Sequence, residues 1–189
     1  LNMFEIAHSL ARQFGPEQWT LYKGKHLLSF LDNHDVTRIA SMLNDPGHLL
    51  PAYGLLFGMP GVPALYYGSE WGIQGRKDQG DDALRPALEA PQWNDLTDAI
   101  AAMAKARKES PALCSGSFRN VVLTNRQIIF ERCWENERVL VAVNADSVPY
   151  TAHFDARAGR ATDLITGKPH DFGGGSQLPP YSVAFWRTE

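Results

Sequence analysis

The sequence predicts an α/β fold in the first part of the chain and an all-β fold in the second part. In the first part, short apolar segments that end in polar residues alternate with segments of helical periodicity, which is typical of parallel βαβ units. From Cys114 onward, short β-branched and aromatic segments are separated by turn residues, which is typical of antiparallel sheets. These patterns predict two domains, with residues 1–112 in the first and residues 113–189 in the second.

The N-terminal segment has the pattern of an amphipathic helix. Gly15 and Pro16 end this pattern, because neither residue favours the interior of a helix. The apolar residues of the segment follow helical spacing: Met3, Ile6, Ala7, Leu10 and Phe14. Since the chain begins at Leu1 within this pattern, we expect that a further N-terminal portion precedes it.

An apolar segment at residues 27–31 is predicted to form a buried parallel strand. It passes without a turn into Asp32, Asn33, His34 and Asp35. Such an abrupt change from apolar to polar residues is typical of a strand whose carboxyl end meets a functional site.

A second apolar segment, at residues 64–67, is followed in the same way by Gly68 and Glu70. Two segments of helical character, residues 36–43 and 49–59, lie between the two predicted strands. Because the order is strand, helix, strand, we expect a right-handed parallel βαβ unit.

A long polar loop follows at residues 73–94, and loops of this length usually serve a site when they occur in a compact domain. The next helix is predicted to end before Pro111. Four residues mark its helical spacing: Leu96, Ile100, Met103 and Arg107.

Six short strands are predicted in the second part of the chain, where turn signals such as the three glycines at residues 173–175 separate the apolar segments. We expect these strands to form an antiparallel sandwich or meander. They span residues 121–124, 127–133, 138–144, 150–154, 160–165 and 181–186.

The composition excludes some classes of partner. A net charge of −3 with scattered lysines and arginines argues against nucleic acid. No apolar segment approaches the roughly 18 residues of a membrane span, so we expect no membrane partner. The two cysteines, Cys114 and Cys133, lack metal-ligand spacing and are expected to be free, half-buried thiols; a single disulfide is the alternative.

The sequence does not predict a cofactor or a metal site. Asp45 and the acidic stretch at residues 78–82 make calcium conceivable, but the regular oxygen-ligand spacing of a calcium loop is missing. We therefore expect these acidic side chains to lie on a solvated surface.

Two carboxylates, Asp35 and Glu70, follow the two predicted parallel strands, and such positions converge on the pocket of an α/β barrel. Paired carboxylates suit glycoside hydrolysis. A helix N-cap or a salt bridge is the alternative for Glu70. For Asp35, the neighbouring Asn33 and His34 favour binding to the vicinal hydroxyls of a sugar.

The aromatic residues have two predicted roles. Tyr67 and Trp71 lie near the predicted site in the sequence and are candidates for stacking on sugar rings. Three other tryptophans, Trp93, Trp134 and Trp186, are expected to pack in the core or between domains.

Two motifs carry a family resemblance. FLDNHDVTR, at residues 30–38, closely resembles the fourth signature region of the α-amylase family of glycoside hydrolases. GVPALYYGSE, at residues 61–70, resembles a later signature of the same family, and both occur in the family's order and spacing. The resemblance implies that residues 1–112 are the C-terminal part of a TIM (β/α)8 barrel and that residues 113–189 are the antiparallel β-sandwich called domain C.

The resemblance also implies roles for single residues. Asp35 would be the third carboxylate of the family, which holds substrate hydroxyls and favours an oxocarbenium-like transition state. His34 would bind hydroxyls of the same sugar, and Asn33 would support this cluster. DDALRP, at residues 81–86, resembles the Asp and Arg pair of neopullulanase- and cyclomaltodextrinase-like members, so Asp81 and Arg85 would bind a neighbouring sugar. A surface salt bridge is the alternative for this pair.

The nucleophile and the general acid of the family both lie upstream of anything in this chain. The chain is therefore expected to be the C-terminal portion of a retaining hydrolase that acts on α-1,4-glucans such as maltodextrins or cyclodextrins, and to be inactive alone. Its expected partners are an α-glucan oligosaccharide and either the missing N-terminal part of the protein or a second copy of the chain.

Two alternatives remain open at this point. A transglycosylase or isomerase of the same family would share these motifs, and a non-catalytic carbohydrate-binding or interaction module would retain them without the upstream carboxylates. The expected location is cytoplasmic, although the missing N-terminal portion leaves secretion open.

Overall fold

The computed structural model describes residues 2–189, which contain six α-helices and ten β-strands. The helices are α1 (Met3–Phe14), α2 (Ile39–Met42), α3 (Leu49–Gly58), α4 (Asp81–Leu84), α5 (Asp95–Lys108) and α6 (Pro111–Ser115). The strands are β1 (Leu28–Ser29), β2 (Val62–Pro63), β3 (Arg119–Leu123), β4 (Gln127–Trp134), β5 (Glu137–Asn144), β6 (Tyr150–Ala152), β7 (Arg160–Asp163), β8 (Pro169–Asp171), β9 (Ser176–Leu178) and β10 (Ser182–Thr188).

Helix α1 confirms the amphipathic pattern, although Leu1 lies outside the described residues. The side chain of Asn2 accepts a hydrogen bond from the backbone N–H of Glu5 at 3.2 Å, which caps the first turn. One face of the helix is buried through Met3, Ala7 and Leu10.

Strands β1 and β2 pair in parallel, as predicted, with Leu28 opposite Val62 and Ser29 opposite Pro63. The prediction of buried strands at residues 27–31 and 64–67 is wrong, because each strand has only two residues, both strands are partly exposed, and the second lies before residues 64–67. The side chains of Leu28 and Val62 are 67% and 47% exposed. A parallel strand needs layers on both faces to be buried, and residues 2–189 do not supply them here.

Helix α5 confirms the periodicity around Ile100 and Met103, which are both buried. Helix α5 ends at Lys108, before Pro111 as predicted, and Pro111 itself begins the next helix, α6. Proline suits the first turn of a helix, where its missing N–H is not needed. The side chain of Ser110 caps α6 by accepting a hydrogen bond from Leu113 N at 3.2 Å.

Most of the strands belong to an antiparallel sheet of six with the order β3-β4-β5-β10-β7-β8, and β6 pairs with β9 in a separate antiparallel ribbon. The six predicted strands all occur, with ends that shift by a few residues. Strands β8 and β9 were not predicted, because each has three residues and a largely polar sequence. The separate ribbon packs Ala152 and Leu178 against Ile129 and Leu140 of the large sheet.

One hydrophobic core crosses the predicted domain boundary. Buried side chains of α3, α5, β4, β5 and β10 belong to a single cluster, which includes Tyr53, Ile100, Phe130, Val141 and Phe185. The division of the chain into two domains, at residues 1–112 and 113–189, therefore stays a prediction.

Two buried arginines stabilise the end of α3, where backbone carbonyls have no partner in the helix. Arg107 Nη1 donates to the carbonyls of Phe57 and Met59 at 2.7 and 2.8 Å, and Arg132 Nη1 donates to Gly58 O at 2.7 Å. Burial, followed by the charge of Arg107, lowers the pKa of Arg132 to about 9.

Candidate functional site

The loop after β1 carries the predicted cluster of Asn33, His34 and Asp35. The side-chain oxygen of Asn33 accepts a hydrogen bond from Asp35 N at 2.8 Å, which closes a tight turn. This turn leaves the side chains of His34 and Asp35 more than half exposed, at 55% and 59%. The predicted support of the cluster by Asn33 thus has a geometric basis.

The carboxylate of Asp35 has a positively charged or polar group on each oxygen. His34 Nε2 lies 3.0 Å from Asp35 Oδ2, and Arg85 Nη2 lies 3.2 Å from Asp35 Oδ1. Arg85 Nε also donates to the backbone carbonyl of His34 at 3.2 Å. Arg85 is 50 residues away in sequence from Asp35, so the long loop folds back onto the end of β1.

Asp81 joins the same cluster from the start of α4. Its Oδ1 accepts a hydrogen bond from Lys77 Nζ at 2.6 Å, and Arg85 Nη2 lies 3.7 Å from its Oδ2. The hydrogen bond and charge of Lys77, followed by the charge of Arg85, lower the pKa of the Asp81 carboxyl. The salt bridge between Asp81 and Arg85 exists, but Arg85 also reaches Asp35 and His34.

Beneath this exposed cluster lies a buried polar network of Asp32, Arg38 and Ser69 that the sequence did not single out. Ser69 Oγ lies 2.8 Å from Asp32 Oδ1 and 2.9 Å from Arg38 Nη1. Asp32 Oδ2 accepts a hydrogen bond from Ile39 N at 2.7 Å. The signal that could have found this network is the presence of Asp32 and Arg38 at the two ends of the polar motif.

Arg38 ties the two halves of the site together. Its guanidinium donates to Tyr67 O at 2.7 Å and to Leu84 O at 2.6 Å, and it lies 4.2 Å from the ring centre of Tyr66. Leu84 precedes Arg85, so this contact holds the loop that carries Arg85 against the end of β2. A planar guanidinium suits such a position because it donates in several directions at once.

Glu70 does not join the cluster around Asp35. It lies in a 3₁₀ turn after β2, and its buried Oε2 has no hydrogen-bond partner within residues 2–189. Burial, followed by the charges of Asp32 and Glu70, raises the pKa of the nearby Tyr53. The structure supports neither a helix cap nor a salt bridge for Glu70 in the described part of the chain.

The aromatic predictions have mixed outcomes. Tyr67 is 43% exposed, and its hydroxyl donates to Pro86 O at 3.0 Å, next to Arg85. Trp186 is buried as predicted, but the packing prediction is wrong for Trp93 and Trp134, which are 65% and 44% exposed.

The metal, cysteine and membrane predictions concern features away from this cluster. In the described part of the chain, no group of three or more His, Cys, Asp or Glu residues could hold a metal ion. Asp45 instead accepts a hydrogen bond from the hydroxyl of Tyr181 at 2.6 Å.

Cys114 and Cys133 are free and half-buried. No helix among residues 2–189 has the length and apolar character to cross a bilayer.

Comparison with known proteins identifies relatives in one family. A model of the alpha amylase catalytic domain matches residues 8–118. A cyclomaltodextrin glucanotransferase of Bacillus sp. (strain 38-2) is 32% identical over 149 residues, which cover 78% of this chain and 20% of that protein. An alpha-amylase of Niallia circulans is 30% identical over 123 residues, which cover 65% of this chain and 23% of that protein. The chain thus spans about a fifth of the length of these curated relatives.

Solved structures share the fold over nearly the whole chain. Ttha1563 from Thermus thermophilus is 30% identical with a TM-score of 0.79, and the match covers 100% of this chain and 41% of that one. An alpha-amylase from Geobacillus thermoleovorans, complexed with acarbose, has a TM-score of 0.80 at 20% identity. The match covers 99% of this chain and 42% of the amylase chain. At this identity, the likeness supports the fold alone. Because the catalytic-domain match at residues 8–118 extends over more than half of the sequence, the chain belongs to the alpha-amylase family.

Proposed function

We propose that this chain is the C-terminal portion of a retaining enzyme that acts on α-1,4-glucans such as maltodextrins or cyclodextrins. In this proposal, residues 1–112 are the last part of a (β/α)8 barrel and residues 113–189 are its β-sandwich domain C. The observation that carries the proposal is the gathering of Asp35, His34 and Arg85 in contact with one another at the carboxyl end of a parallel strand. Barrel enzymes place their catalytic groups at this end of the strands.

Asp35 acts on the transition state in this proposal. Its exposed carboxylate accepts hydrogen bonds from sugar hydroxyls and favours the positive charge that develops on the ring as the glycosidic bond breaks. His34 donates to the same sugar from the other side of the carboxylate. Asn33 holds the turn, so that the two side chains keep their relative position.

Asp81 and Arg85 bind the neighbouring sugar in this proposal. A carboxylate and a guanidinium together offer acceptors and donors for the hydroxyls of one ring. Because Arg85 also contacts Asp35, the two sugar-binding positions are adjacent and share a charged border.

The upstream portion of the protein supplies the nucleophile and the general acid, and the chain alone is inactive in this proposal. The exposed apolar side chains of Leu28, Phe30 and Val62 are what the upstream strands and helices would cover. A second copy of the chain is the other candidate to cover them. Neither a resident cofactor nor calcium is part of the proposal, and the proposed location is cytoplasmic.

Transglycosylation is a second candidate activity. It is favoured by the names of several similar relatives, which are cyclomaltodextrin glucanotransferases. The two activities differ in whether water or a sugar hydroxyl accepts the glycosyl group. Analysis of products from a maltodextrin substrate separates them, because a transferase forms longer or cyclic glucans and a hydrolase forms only shorter ones.

The test of the proposal is an Asp35→Asn variant of the full-length protein. We expect kcat/KM on maltodextrin to fall by about 10²–10³-fold, because the neutral amide no longer stabilises positive charge in the transition state. The matched control is Asp82→Asn, which removes an exposed carboxylate of α4 that does not contact Asp35 in the structure. Full activity in the Asp35 variant would exclude a catalytic role for Asp35, whereas a full-length native protein without activity would leave a carbohydrate-binding or interaction module as the explanation.

A further inference from the structure

Three arginines surround a single carboxylate, that of Glu131, on the six-stranded sheet; two of them lie on the sheet and one in a neighbouring loop. Arg119 Nε lies 2.6 Å from Glu131 Oε1, while Arg138 Nε and Arg157 Nη2 each lie 3.0 Å from Glu131 Oε2. Glu131 lies on β4, between Arg119 on β3 and Arg138 on β5, and Arg157 lies in the loop between β6 and β7. Three positive charges therefore face one negative charge, which leaves a surplus of two.

The donors of this cluster are not all used. Arg138 Nη1 donates to the carbonyl of Ala156 at 2.6 Å, but the buried Arg138 Nη2 has no hydrogen-bond partner in the described part of the chain. A buried guanidinium N–H without an acceptor is costly, so such groups nearly always have a partner in the functional state. The guanidinium of Arg138 is therefore only partly satisfied by the described residues.

A surface cavity lies at the cluster and is lined by Glu131, Cys133, Arg138 and Arg157, with a volume of about 260 Å³. A water molecule takes up about 30 Å³ in the liquid, so the cavity has room for a small anion together with water. The planar forks of two arginines match the geometry of phosphate and carboxylate oxygens.

The loop holds Arg157 in an unusual backbone conformation. Its φ of 51° is left-handed, and its backbone N–H donates to Asp155 Oδ1 at 2.8 Å. Glycine would adopt this conformation more easily. An arginine in this position keeps a charged side chain beside Glu131 at the edge of the cavity.

We propose that this arginine cluster binds a phosphate-type oxyanion, either as free phosphate or as the phosphate group of a phosphorylated sugar. The anion neutralises the surplus charge beside Arg138 and Arg157, the two arginines that line the cavity. The site lies on the antiparallel sheet and is independent of the proposed activity at Asp35. Glu131 draws the three guanidinium groups together, and its own negative charge competes with the anion.

Titration calorimetry of the full-length protein tests the proposal, with inorganic phosphate and glucose 1-phosphate as probes at constant ionic strength. We expect saturable binding, and we expect Arg157→Gln to weaken it by about tenfold, because a charge-assisted hydrogen bond is lost. The matched control is Arg126→Gln, which changes an exposed arginine in the turn between β3 and β4. Tighter binding of glucose 1-phosphate identifies the sugar phosphate as the source, whereas tighter binding of inorganic phosphate identifies the free anion.

Two further measurements localise the anion. Glu131→Gln removes the competing negative charge, so we expect tighter phosphate binding. Phosphate is also expected to slow the alkylation of Cys133 by iodoacetamide but not that of Cys114, as followed by peptide mass spectrometry.

Three results would overturn the proposal. These are the absence of saturable binding, an equal effect of the Arg157 and Arg126 substitutions, and equal protection of the two cysteines. Each would mean that the cluster is a structural ion-pair network only.

Discussion

At the scale of single residues, the exposed charges at Asp35 depend on a buried layer beneath them. Asp32 and Arg38 are almost fully buried, and they share the hydroxyl of Ser69, which donates to the carboxylate and accepts from the guanidinium. Buried charges are tolerated only when they are paired and hydrogen-bonded. The motif around Asp35 is therefore rigid at both ends, although its middle is open to solvent.

Arg38→Lys tests this buried layer. Lysine keeps the charge but cannot reach Tyr67 O, Ser69 Oγ and Leu84 O together, so we expect the free energy of unfolding to fall by about 3 kcal/mol. Because Leu84 precedes Arg85, kcat/KM on maltodextrin should fall as well. Denaturant unfolding and initial rates measure the two effects in the full-length protein.

The matched control for Arg38 is Arg12→Lys, an exposed position in α1. It should leave both stability and rate within error of the native protein. Equal effects of the two substitutions would mean that the buried hydrogen bonds of Arg38 contribute nothing specific.

At the scale of elements, helix α3 packs against the antiparallel sheet from the first part of the chain, as α1 also does. Two of its glycines allow this close approach: a Cβ at Gly54 would collide with the side chain of Val183 on β10, and one at Gly58 would lie 2.5 Å from Val141 Cγ1 on β5. Glycine within a helix lowers its intrinsic stability. Here the packing of α3 on the sheet outweighs that cost.

Gly54→Ala tests the packing of α3. Alanine adds about 1 kcal/mol of helix propensity, but overpacking costs about 1–3 kcal/mol, and β-branched Val183 has little freedom to move. We expect a net loss in the free energy of unfolding of up to about 2 kcal/mol. Adding Val183→Ala should restore part of this loss. Gly159→Ala is the control, because nothing lies within 4 Å of the Cβ that alanine would add there. A Gly54→Ala variant that is more stable than the native protein would contradict the packing argument.

A second link between elements joins Asp45, before α3, to Tyr181, before β10. The hydrogen bond from Tyr181, followed by that from Gly47 N, lowers the pKa of the Asp45 carboxyl below its ordinary value of 3.8. A carboxyl whose pKa is lowered in the folded state stabilises the fold at neutral pH. This contribution is lost as the pH falls through the folded-state pKa.

Tyr181→Phe removes this hydrogen bond. We expect a lower melting temperature than that of the native protein at neutral pH, and a difference that closes as the pH falls below 3.8. Thermal unfolding across this pH range measures the difference. Tyr150→Phe on β6 is the control, and a gap for Tyr181→Phe that does not depend on pH would exclude the link to Asp45.

At the scale of the whole molecule, the chain exposes an apolar face around the parallel strand pair. Leu28, Phe30, Val62 and Leu65 are each more than 40% exposed. Exposed apolar patches and unpaired strand edges promote association. This face is the physical basis for proposing that an upstream portion or a second copy covers it.

Light scattering of the isolated chain, which has a mass of 21.0 kDa, tests this face. We expect self-association that weakens in the Leu28→Glu variant, because a charge then replaces the most exposed of the four apolar side chains. Val148→Glu is the control, since Val148 is 55% exposed but lies between β5 and β6. A monodisperse monomer with cooperative melting would exclude self-association.

Local patterns in the sequence predicted much of this architecture. The periodicity of α1 and α5, the parallel pair and six antiparallel strands could be read from residue types, because each depends on neighbours within a few positions. Asn33, His34 and Asp35 were also visible as candidates, because they are contiguous and directly follow an apolar segment.

The sequence by itself determined the family motifs, the order of the main elements and the contiguous polar residues that lead to Asp35. Only the tertiary structure decided that Arg85 reaches Asp35, that Arg38 and Ser69 form a buried layer, and that Arg157 meets Glu131. These contacts join residues that are 26 to 50 positions apart. The physical reason is that helical and strand patterns report local backbone preference, whereas burial and charge pairing depend on which distant segments pack together.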